Sequence, residues 1–577
     1  MIRTERSALI ARARDWVADD PDPHTRHELS TLIDAVEAEG SEADVAWVDL
    51  SDRFASVLEF GTAGLRGALG AGPNRMNLAV VIRTAAGLAA WLRSQDDPTV
   101  SRRGVVVGCD ARHRSLDFAL ATAEVLASAG IRVHLLPEPL PTPVLAFTVL
   151  RLDAAAGVMV TASHNPPGDN GYKVYDATGR QIVAPVDAEI AARIAEVGPV
   201  HAVPRDGPDD PDIVRLGSES VDRYVERAAA VRVLPGLPEA SQVKVAYTAM
   251  HGVGAATVRR VFAAAGFAEP VEVAEQVEPD PDFPTVPFPN PEEPGALELG
   301  LQTAAASRAD VLLANDPDAD RLGVALPLDG AWRTLTGDEI GAVLAHHLIS
   351  NGAVAEGSVM ATTIVSSTLL GRMATAAGIE MRETLTGFKW LTRAADPDGT
   401  LAFAYEEALG YAVSDMVRDK DGITAAVLFV EAVAQQASQG RTVLDLLDDL
   451  ARAHGVHRTG QWSVRVSGPT GQAELAAAMD RVRSEPPVEV AGRSVTEVVD
   501  LVHGDPVRGL AASDVLVLHL EGGRVVVRPS GTEPKLKCYV EVVEPVEADL
   551  ATAHHRADSA LAEVIEALPD LVGLPAA

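Results

Sequence analysis

The chain has 577 residues, of which 47% are hydrophobic and 23% charged, and its 49 basic and 82 acidic side chains give a net charge of −33. So long a chain exceeds what one hydrophobic core organises, so we expect several domains. The negative charge argues against binding to nucleic acid or to an anionic membrane surface, but it leaves small anionic ligands open, because solvent screens charge beyond about 8 to 10 Å and a local cluster of cations dominates inside a cleft.

The N-terminal segment, MIRTERSALIARARDW, has charged residues inside every apolar run, so we expect no signal peptide. Its first 50 residues show only a helical pattern. Apolar stretches such as residues 85–92 are too short to span a bilayer. The two cysteines, Cys109 and Cys538, allow no disulfide framework and no cysteine zinc cluster, and we expect both to be buried apolar residues. These features predict a cytoplasmic protein without a membrane partner.

Strand-like runs that end in polar or glycine-containing loops recur along the chain: GVVVGCD, GVMVTASHN, VKVAYTAMHGVG, ADVLLANDPDADR and VVVRPSGTEP. Alanine-rich helical stretches separate many of them, which indicates an α/β fold with ligands bound at the loops beyond the strands. Breaks in the pattern predict four domains, at residues 1–212, 213–330, 331–455 and 456–577. A proline-rich, acidic segment, residues 279–294, is expected to be an ordered extended loop.

The first chemical motif is TASHNPP, residues 161–167, directly after a strand-like run. Two prolines and a glycine turn hold Ser163 on a stiff loop, where its hydroxyl is suited to phosphoryl transfer if a metal and a base assist. A polar turn in which Ser163 and Asn165 satisfy backbone groups is the alternative. A serine hydrolase is disfavoured, because no G-x-S-x-G surrounds Ser163.

The second motif is NDPDADRLG, which follows an apolar strand-like run and contains three alternating carboxylates, those of Asp316, Asp318 and Asp320. Such carboxylates can converge on one hard cation such as Mg²⁺. An EF-hand is excluded because Arg321 replaces the required glycine and Pro327 the required glutamate. A solvated acidic turn and a haloacid-dehalogenase-type phosphatase with an aspartyl nucleophile remain open.

The third motif is RPSGTEPK, between the strand-like runs GGRVVVR and LKCYVEVVE. Gly531 lets the backbone turn its N–H groups inward, Ser530 and Thr532 add hydroxyl donors, and Arg528 can grip a phosphate bidentately. Lys535 adds a further cation. A plain hairpin turn is the alternative, but this composition favours phosphate binding.

Taken in this order, the three loops resemble those of the α-D-phosphohexomutase family. The resemblance implies four domains around a central cleft, three with related mixed α/β sheets and a smaller α+β domain at the C-terminus. It implies that Ser163 carries the phosphoryl group and that a phosphoserine oxygen joins the three aspartates around Mg²⁺. It also implies a binding site for the phosphate that is not transferred, formed by Arg528, Ser530, Gly531, Thr532 and Lys535.

Further segments extend the resemblance to the sugar and to acid–base chemistry. The segment FGTAGLRG, residues 60–67, resembles one that places its arginine, here Arg66, beside the phosphoserine. TGFK and YEEALG resemble loops that contact the sugar, and the substrate contacts implied by the resemblance are Arg321, Lys389, Glu406, with its neighbour Glu407, and Ala408.

Lys173, in NGYK, matches a lysine that the family places near the reacting hydroxyl. Its pKa would have to fall from about 10.4 for it to act as a base, and we expect Arg66 and the metal to lower it. His164, next to the nucleophile, is expected to help move the proton. His251 is expected to be structural, hydrogen-bonded at the end of a strand.

The resemblance therefore implies a phosphosugar mutase that interconverts hexose 1-phosphate and hexose 6-phosphate through a phosphoserine and a bisphosphate, with sugar 1,6-bisphosphate as activator. A last domain that closes over the substrate would keep water out. A phosphopentomutase, a magnesium-dependent sugar phosphatase and a regulatory protein that only binds phosphate are the alternatives. Typical phosphoglucomutases carry Glu-Glu-Ser where this chain has Ala408 in the last position, so we expect relaxed sugar specificity.

Overall fold

The computed structural model describes residues 2–38, 40–59, 64–396, 399–466, 471–530 and 535–574. The chain divides into two compact units. The first comprises Met1–Ala230, Lys244–Leu322 and Met416–Ile423, and the second comprises Val231–Val243, Gly323–Asp415 and Thr424–Ala577. Among the helices of the described residues, none combines the length and hydropathy that crossing a membrane requires.

In the first unit a group of N-terminal helices precedes two α/β sheets. Its helices are α1 (Ile2–Asp19), α2 (Pro23–Glu37), α3 (Ser41–Arg53), α4 (Leu78–Arg93), α5 (Val100–Arg103), α6 (Ser115–Ser128), α7 (Thr142–Arg151), α8 (Val186–Ala195), α9 (Glu219–Ala229), α10 (Gly254–Ala265) and α11 (Glu298–Ser307), with a 3₁₀ turn at Val200–Ala202. Its strands are β1 (Leu65–Ala68), β2 (Val105–Cys109), β3 (Val133–Leu135), β4 (Ala156–Val160), β5 (Asp169–Asp176), β6 (Ile213–Arg215), β7 (Val245–Thr248), β8 (Val271–Glu272) and β9 (Val311–Ala314).

The first sheet is mixed, with strand order β1-β5-β4-β2-β3-β6. Strands β2, β3, β4 and β6 are parallel, β5 runs antiparallel to β4, and β1 runs antiparallel to β5. Every residue of β2 and β4 is buried, as expected for parallel strands with helices on both faces. Cys109 is buried in β2, as predicted.

The second sheet of this unit contains β7, which pairs in parallel with both β8 and β9. The TASHNPP loop follows β4 and the NDPDADRLG loop follows β9, so both lie beyond the carboxyl ends of strands, where α/β folds bind ligands. Residues 279–294 form neither helix nor strand, which confirms the predicted extended loop.

The second unit contains two further sheets and a hairpin. Its strands are β10 (Gly323–Leu328), β11 (Ala331–Thr334), β12 (Val359–Thr363), β13 (Glu380–Thr384), β14 (Leu401–Glu406), β15 (Gly410–Ala412), β16 (Val456–Arg465), β17 (Glu489–Val490), β18 (Arg493–Asp500), β19 (Leu516–Leu520), β20 (Gly523–Pro529) and β21 (Lys535–Glu544). Its helices are α12 (Gly337–Ser350), α13 (Leu369–Ala377), α14 (Phe388–Leu391), α15 (Gly422–Ser438), α16 (Val443–His454), α17 (Gly471–Ser484) and α18 (Leu550–Val572), with 3₁₀ turns at Pro238–Ser241 and Leu501–His503.

A four-stranded mixed sheet, β13-β12-β14-β15, precedes a six-stranded antiparallel sheet, β16-β21-β20-β19-β18-β17. One face of the antiparallel sheet packs on α17 and α18, and Cys538 is buried there, as predicted. Its other face contributes Val526 to an apolar cluster with Ile364, Val365 and Leu385. The C-terminal sheet is thus held against the preceding sheet and its loops.

The predicted domain ranges stay predictions, and two elements bear on them. Strand β6, which follows residue 212, pairs with β3 of the first sheet. The hairpin β10–β11 runs past residue 330.

Candidate active site

Ser163 lies in the loop between β4 and β5 and is only 3% exposed. Its φ of +54° is in the left-handed region, which is uncommon for a residue other than glycine. The Ser163 N–H donates to Thr161 Oγ1 at 2.8 Å, and the Thr161 hydroxyl donates to Asp110 Oδ2 at 2.6 Å. These buried hydrogen bonds hold the strained serine in one orientation.

Arg112, which was not predicted from the sequence as a site residue, fixes the same loop. Its guanidinium donates to the carbonyl oxygens of Ser163 at 2.6 Å, Asn165 at 2.5 Å and Pro166 at 2.8 Å. Arg66, as implied by the resemblance, lies beside the loop and donates to Asn165 Oδ1 at 3.1 Å. Arg112 follows the strand-like run GVVVGCD in the sequence, but only the sheet shows that this strand, β2, is the neighbour of β4.

The three aspartates of the second motif are completely buried, which excludes a solvated acidic turn. Each places a carboxylate oxygen within 4.8 Å of the others. Asp318 Oδ1 and Asp320 Oδ1 have no hydrogen-bond partner among the residues that the structure describes. Because a buried carboxylate oxygen without a partner is costly, and because Mg²⁺ prefers oxygen ligands, this donor set fits Mg²⁺.

Close backbone packing braces the acidic loop. A Cβ on Gly252 would lie 2.3 Å from Pro317 Cα, and one on Gly422 would lie 2.2 Å from the Arg321 carbonyl oxygen, so only glycine fits at either position. His251, which precedes Gly252, pairs through Nε2 with Thr285 Oγ1 at 2.8 Å. This contact agrees with the structural role expected for His251.

The two loops meet in the first unit. Ser163 Oγ donates to Asp316 Oδ2 at 2.8 Å. Lys173 Nζ donates to Asp318 Oδ2 and to Asp320 Oδ2, both at 2.9 Å. The structure therefore brings the proposed nucleophile, the acidic loop and the lysine of NGYK together.

Two residues that the sequence did not predict as site residues, Thr142 and Lys420, contact the acidic loop. The Thr142 hydroxyl, at the start of α7, donates to Asp318 Oδ2 at 2.6 Å. Lys420 Nζ lies 3.4 Å from Asp320 Oδ2 and 3.7 Å from Asp419 Oδ1. Nothing in the local sequence of these residues distinguishes them from ordinary polar positions.

Burial and mutual repulsion determine the charge states of the aspartates. Burial, together with the charges of Asp318 and Asp320, raises the pKa of Asp316 well above its usual range. Burial also opposes ionisation of Asp318, but Lys173 and the Thr142 hydroxyl outweigh it, so the pKa of Asp318 is lowered.

The expected lowering of the Lys173 pKa depends on Arg66 and the metal together, and it stays a prediction; the protein's own groups act on this pKa in the opposite direction. Burial lowers that pKa, but the carboxylates of Asp318 and Asp320 raise it by more, so the net pKa is raised. His164 behaves in the opposite way, because burial and the cations Arg321 and Arg66 hold its pKa well below the usual range. Its Nδ1 lies 3.2 Å from Ser163 Oγ.

The sugar contacts predicted in the TGFK and YEEALG segments lie in the second unit. Glu406 ends β14, Glu407 and Ala408 follow in the turn to β15, and Lys389 lies in α14. Glu407 Oε2 accepts hydrogen bonds from Ser366 Oγ at 2.9 Å and Thr363 Oγ1 at 3.2 Å. These two hydroxyls fix the orientation of the Glu407 carboxyl.

The predicted phosphate-binding residues follow β20. Arg528, near the end of that strand, donates to Thr386 Oγ1 of the TGFK segment, so two of the predicted loops touch each other. Ser530 follows β20, and Lys535 begins β21. Gly531 and Thr532 lie outside the described residues, as do residues 60–63 of the FGTAGLRG segment.

The stability of the Glu407→Gln variant is expected to increase relative to that of the wild type as pH rises. Burial, with the charges of Glu406 and Asp338, raises the pKa of Glu407 from its usual 4.5 to about 7. The folded state therefore gains stability from the protonated carboxyl below about pH 4.5 and loses it as pH rises through about 7. Because Glu407 is half-buried and keeps some contact with solvent, we expect this loss of stability to be about 1 to 3 kcal/mol.

The measurement is the Tm of both proteins between pH 5 and pH 8 without substrate. The Tm of the variant should increase relative to that of the wild type across this interval. A constant difference would show that Glu407 is already ionised at pH 5.

Four family models match the chain in order. They describe the α/β/α domains I, II and III and the C-terminal domain of phosphoglucomutase/phosphomannomutase, and they match residues 57–200, 222–328, 336–453 and 472–558.

Two curated relatives and one solved structure are similar over most of the chain. A probable phosphomannomutase from Haemophilus influenzae is 43% identical over 83% of this chain and 96% of its own length. A probable phosphoribomutase from Schizosaccharomyces pombe is 36% identical over 91% of this chain and 92% of its own length. The crystal structure of a putative phosphomannomutase from Thermus thermophilus covers 90% of this chain and 99% of its own, with 25% identity and a TM-score of 0.68.

Proposed function

Since this chain belongs to the phosphoglucomutase/phosphomannomutase family and is a phosphomutase, we propose that Ser163 carries the phosphoryl group that it exchanges with a hexose phosphate. The observation that supports this assignment most directly is the 2.8 Å hydrogen bond from Ser163 Oγ to Asp316 within a buried cluster of three aspartates. A nucleophile and a metal-type donor set are thereby in contact.

The geometry favours this reading over a magnesium-dependent phosphatase. A dehalogenase-type enzyme would use an aspartate as nucleophile and would have no need of a serine at this point. Here three separate groups, Thr161, Asp110 and Arg112, hold the serine loop. Such support is expected if the serine itself reacts.

We assign the metal site to Asp316, Asp318, Asp320 and the phosphoryl group on Ser163. Bound there, Mg²⁺ would supply Lewis-acid stabilisation of the phosphoryl oxygens. Lys173, charged and paired with Asp318 and Asp320, fixes the orientation of both carboxylates.

The transfer conserves the phosphoryl group. A hydroxyl oxygen of the bound sugar phosphate forms a bond to phosphorus as the bond from phosphorus to Ser163 Oγ breaks, which yields a sugar bisphosphate. The hydroxyl proton leaves at the same time, and His164, which its lowered pKa keeps neutral, can accept it, whereas Lys173 can do so only where Arg66 and Mg²⁺ lower its pKa. The reverse step, on the other phosphate, returns a phosphoryl group to Ser163.

The second unit supplies recognition in this proposal. Glu406 and Lys389 bind the sugar, while Arg528, Ser530 and Lys535 hold the phosphate that is not transferred, through charge-assisted hydrogen bonds. Gly531 and Thr532 keep the roles predicted for them from the sequence, and Arg321, in the first unit, that of a substrate contact. Sugar 1,6-bisphosphate would activate the enzyme by phosphorylating Ser163.

A substrate panel with and without glucose 1,6-bisphosphate tests the proposed function. We propose that glucose 1-phosphate is the best substrate and that mannose 1-phosphate is used measurably. A pentomutase is the second candidate, because Ala408 lacks the serine hydroxyl of typical phosphoglucomutases and because one relative is named a probable phosphoribomutase. A much higher kcat/KM for ribose 1-phosphate would establish that alternative.

Ala408→Ser is expected to sharpen the preference between glucose and mannose phosphates. A new hydroxyl beside Glu406 rewards a correctly placed sugar hydroxyl and penalises its epimer, and one such hydrogen bond is worth roughly 1 kcal/mol, or about a five-fold change in the kcat/KM ratio. The ratio of kcat/KM values for the two sugars is the measurement. An unchanged ratio would mean that residue 408 does not face the sugar.

A further inference from the structure

Strand β20 presents one face to the loops that carry the predicted sugar contacts. Side chains alternate along a strand, so Arg524, Val526 and Arg528 share a face while Val525 and Val527 point to the opposite core. Val526 packs in the cluster that contains Ile364 and Val365. Its two arginine neighbours therefore flank a buried apolar contact.

Arg524 is only 4% exposed, although it carries a charge. It donates from Nη1 to Glu383 Oε1 at 2.7 Å and from Nη2 to the Ser366 carbonyl oxygen at 2.5 Å, and its Nε lies 3.7 Å from Glu541 Oε2. A burial of this kind is costly, and an apolar residue often serves stability as well or better. Stability alone therefore does not explain why an arginine is buried at this position.

Ser366 connects Arg524 to the sugar-contacting turn. While its carbonyl oxygen accepts from Arg524, its hydroxyl donates to Glu407 Oε2 at 2.9 Å and accepts from the Glu407 N–H at 3.1 Å. Glu407 lies between Glu406 and Ala408. One residue thus joins the backbone of that turn to strand β20.

The same strand makes a second contact with the predicted substrate-binding loops. Arg528, farther along β20, donates to Thr386 Oγ1, next to the GFK segment. Arg524 and Arg528 therefore attach one strand to both groups of sugar-contacting residues. These two arginines therefore connect the sugar-binding turn and the TGFK segment to the strand that ends at the phosphate-binding residues.

We propose that Arg524 is a positioning residue that fixes the sugar-recognition turn, Glu406–Ala408, relative to the phosphate-binding residues around Arg528. This rests on the proposed function, in which the two groups hold opposite ends of one sugar phosphate. When the two groups of residues are held at a fixed separation, binding of one end of the sugar phosphate places its other end at the second group. The affinity for the whole ligand then exceeds the affinity for either part. Arg524 acts through Ser366 and Glu407 and does not itself contact the ligand.

The fold provides contacts that keep the C-terminal sheet in place without Arg524. Glu541 Oε1 accepts from Ser367 Oγ at 2.7 Å and pairs with His457 Nδ1 at 2.8 Å, and the apolar cluster around Val526 is independent of the guanidinium. Burial opposes ionisation of Glu541, but His457 and Arg524 hold its pKa down at about 2. A variant at position 524 is thus expected to fold with reduced Tm.

The test compares Arg524→Met with Arg232→Met. Arg232 is a matched control, because it is also a buried arginine of the second unit and pairs with a buried glutamate, Glu431, at 2.8 Å. Dissociation constants for inorganic phosphate and for the best substrate of the panel are measured without Mg²⁺, so that phosphate does not bind at the acidic loop. Steady-state kcat and KM with Mg²⁺ are the second readout.

For Arg524→Met we expect sugar phosphate binding to weaken at least about ten-fold while phosphate binding changes less than about two-fold, with KM raised more than kcat is lowered. Arg232→Met should lower Tm without separating the two ligands. Ser366→Ala, which leaves no buried charge unpaired, should weaken sugar phosphate binding in the same selective way. Arg524→Lys should restore only part of the affinity, because an ammonium cannot reproduce the fork of a guanidinium.

Equal loss of affinity for both ligands, or the same selective loss in Arg232→Met, would overturn this inference and leave Arg524 with a structural role. That outcome is separate from failure of the proposed function. If the wild type turned over no sugar phosphate in the panel, both would fall. Should both position-524 variants fail to fold, Ser366→Ala tests the link from Ser366 to Glu407 on which the inference depends, and an equal loss of affinity for both ligands in that variant would overturn it.

Discussion

Ser163→Ala is expected to reduce kcat by roughly three to six orders of magnitude, because the residue that carries the phosphoryl group in the proposed mechanism is lost. The fold should persist, since the substitution removes one hydroxyl and its hydrogen bond to Asp316. Turnover of glucose 1-phosphate in the presence of glucose 1,6-bisphosphate measures the effect. Intact-mass analysis should find one phosphate on the wild type, at Ser163, and none on the variant.

A matched control is Ser220→Ala. Ser220 is also buried in the first unit. Its hydroxyl donates to the Gly217 carbonyl oxygen at 2.9 Å and not to a residue of the acidic loop. This variant should retain wild-type turnover. Substantial turnover in Ser163→Ala, or a phosphate found reproducibly on another residue, would remove Ser163 from the mechanism.

Asp318→Asn is expected to raise the Mg²⁺ concentration that gives half-maximal activity and to lower kcat, each by at least about 100-fold. The change replaces a charged oxygen donor with a neutral one of the same shape. It also removes one of the two carboxylates that Lys173 contacts at 2.9 Å, so Lys173 can move toward Asp320. The variant therefore loses one charged metal ligand, and the lysine that orients the remaining carboxylate is displaced.

Activity is titrated against Mg²⁺, and Mg²⁺ binding is followed separately by calorimetry. Asp310→Asn is the control, because Asp310 is an exposed acid directly before the strand that leads into the acidic loop. The control should keep the wild-type Mg²⁺ optimum. An unchanged optimum and full activity in Asp318→Asn would show that the acidic loop does not bind the metal used in the reaction.

Short contiguous motifs carried most of what could be predicted from the sequence. The run Val311–Ala314 is a buried strand, and the aspartates follow it, because an apolar run with a polar end is a local pattern. The family, the fold class and the phosphomutase class are confirmed by the four matching domain models and by the relatives. The same local reasoning located the third motif between β20 and β21.

Long-range pairing could not be predicted in this way. Arg112 binds the carbonyl oxygens of the serine loop because β2 and β4 are neighbours in the sheet, and Arg524 reaches Ser366 because the antiparallel sheet packs on the loops of the preceding one. Neither residue stands in a motif of its own. The predicted closure of the last domain over the substrate has to be compatible with these buried contacts within the second unit.

The sequence by itself determined the type of chemistry, because a serine loop, three alternating aspartates and a glycine turn rich in phosphate donors each act through residues close together in the chain. Only the tertiary structure decided the charge states. The protein's own groups raise the pKa of Lys173, because β5 brings it against Asp318 and Asp320 from a distant part of the chain. Electrostatic energies depend on the distances and burial of all neighbouring charges, and a linear sequence does not contain those distances.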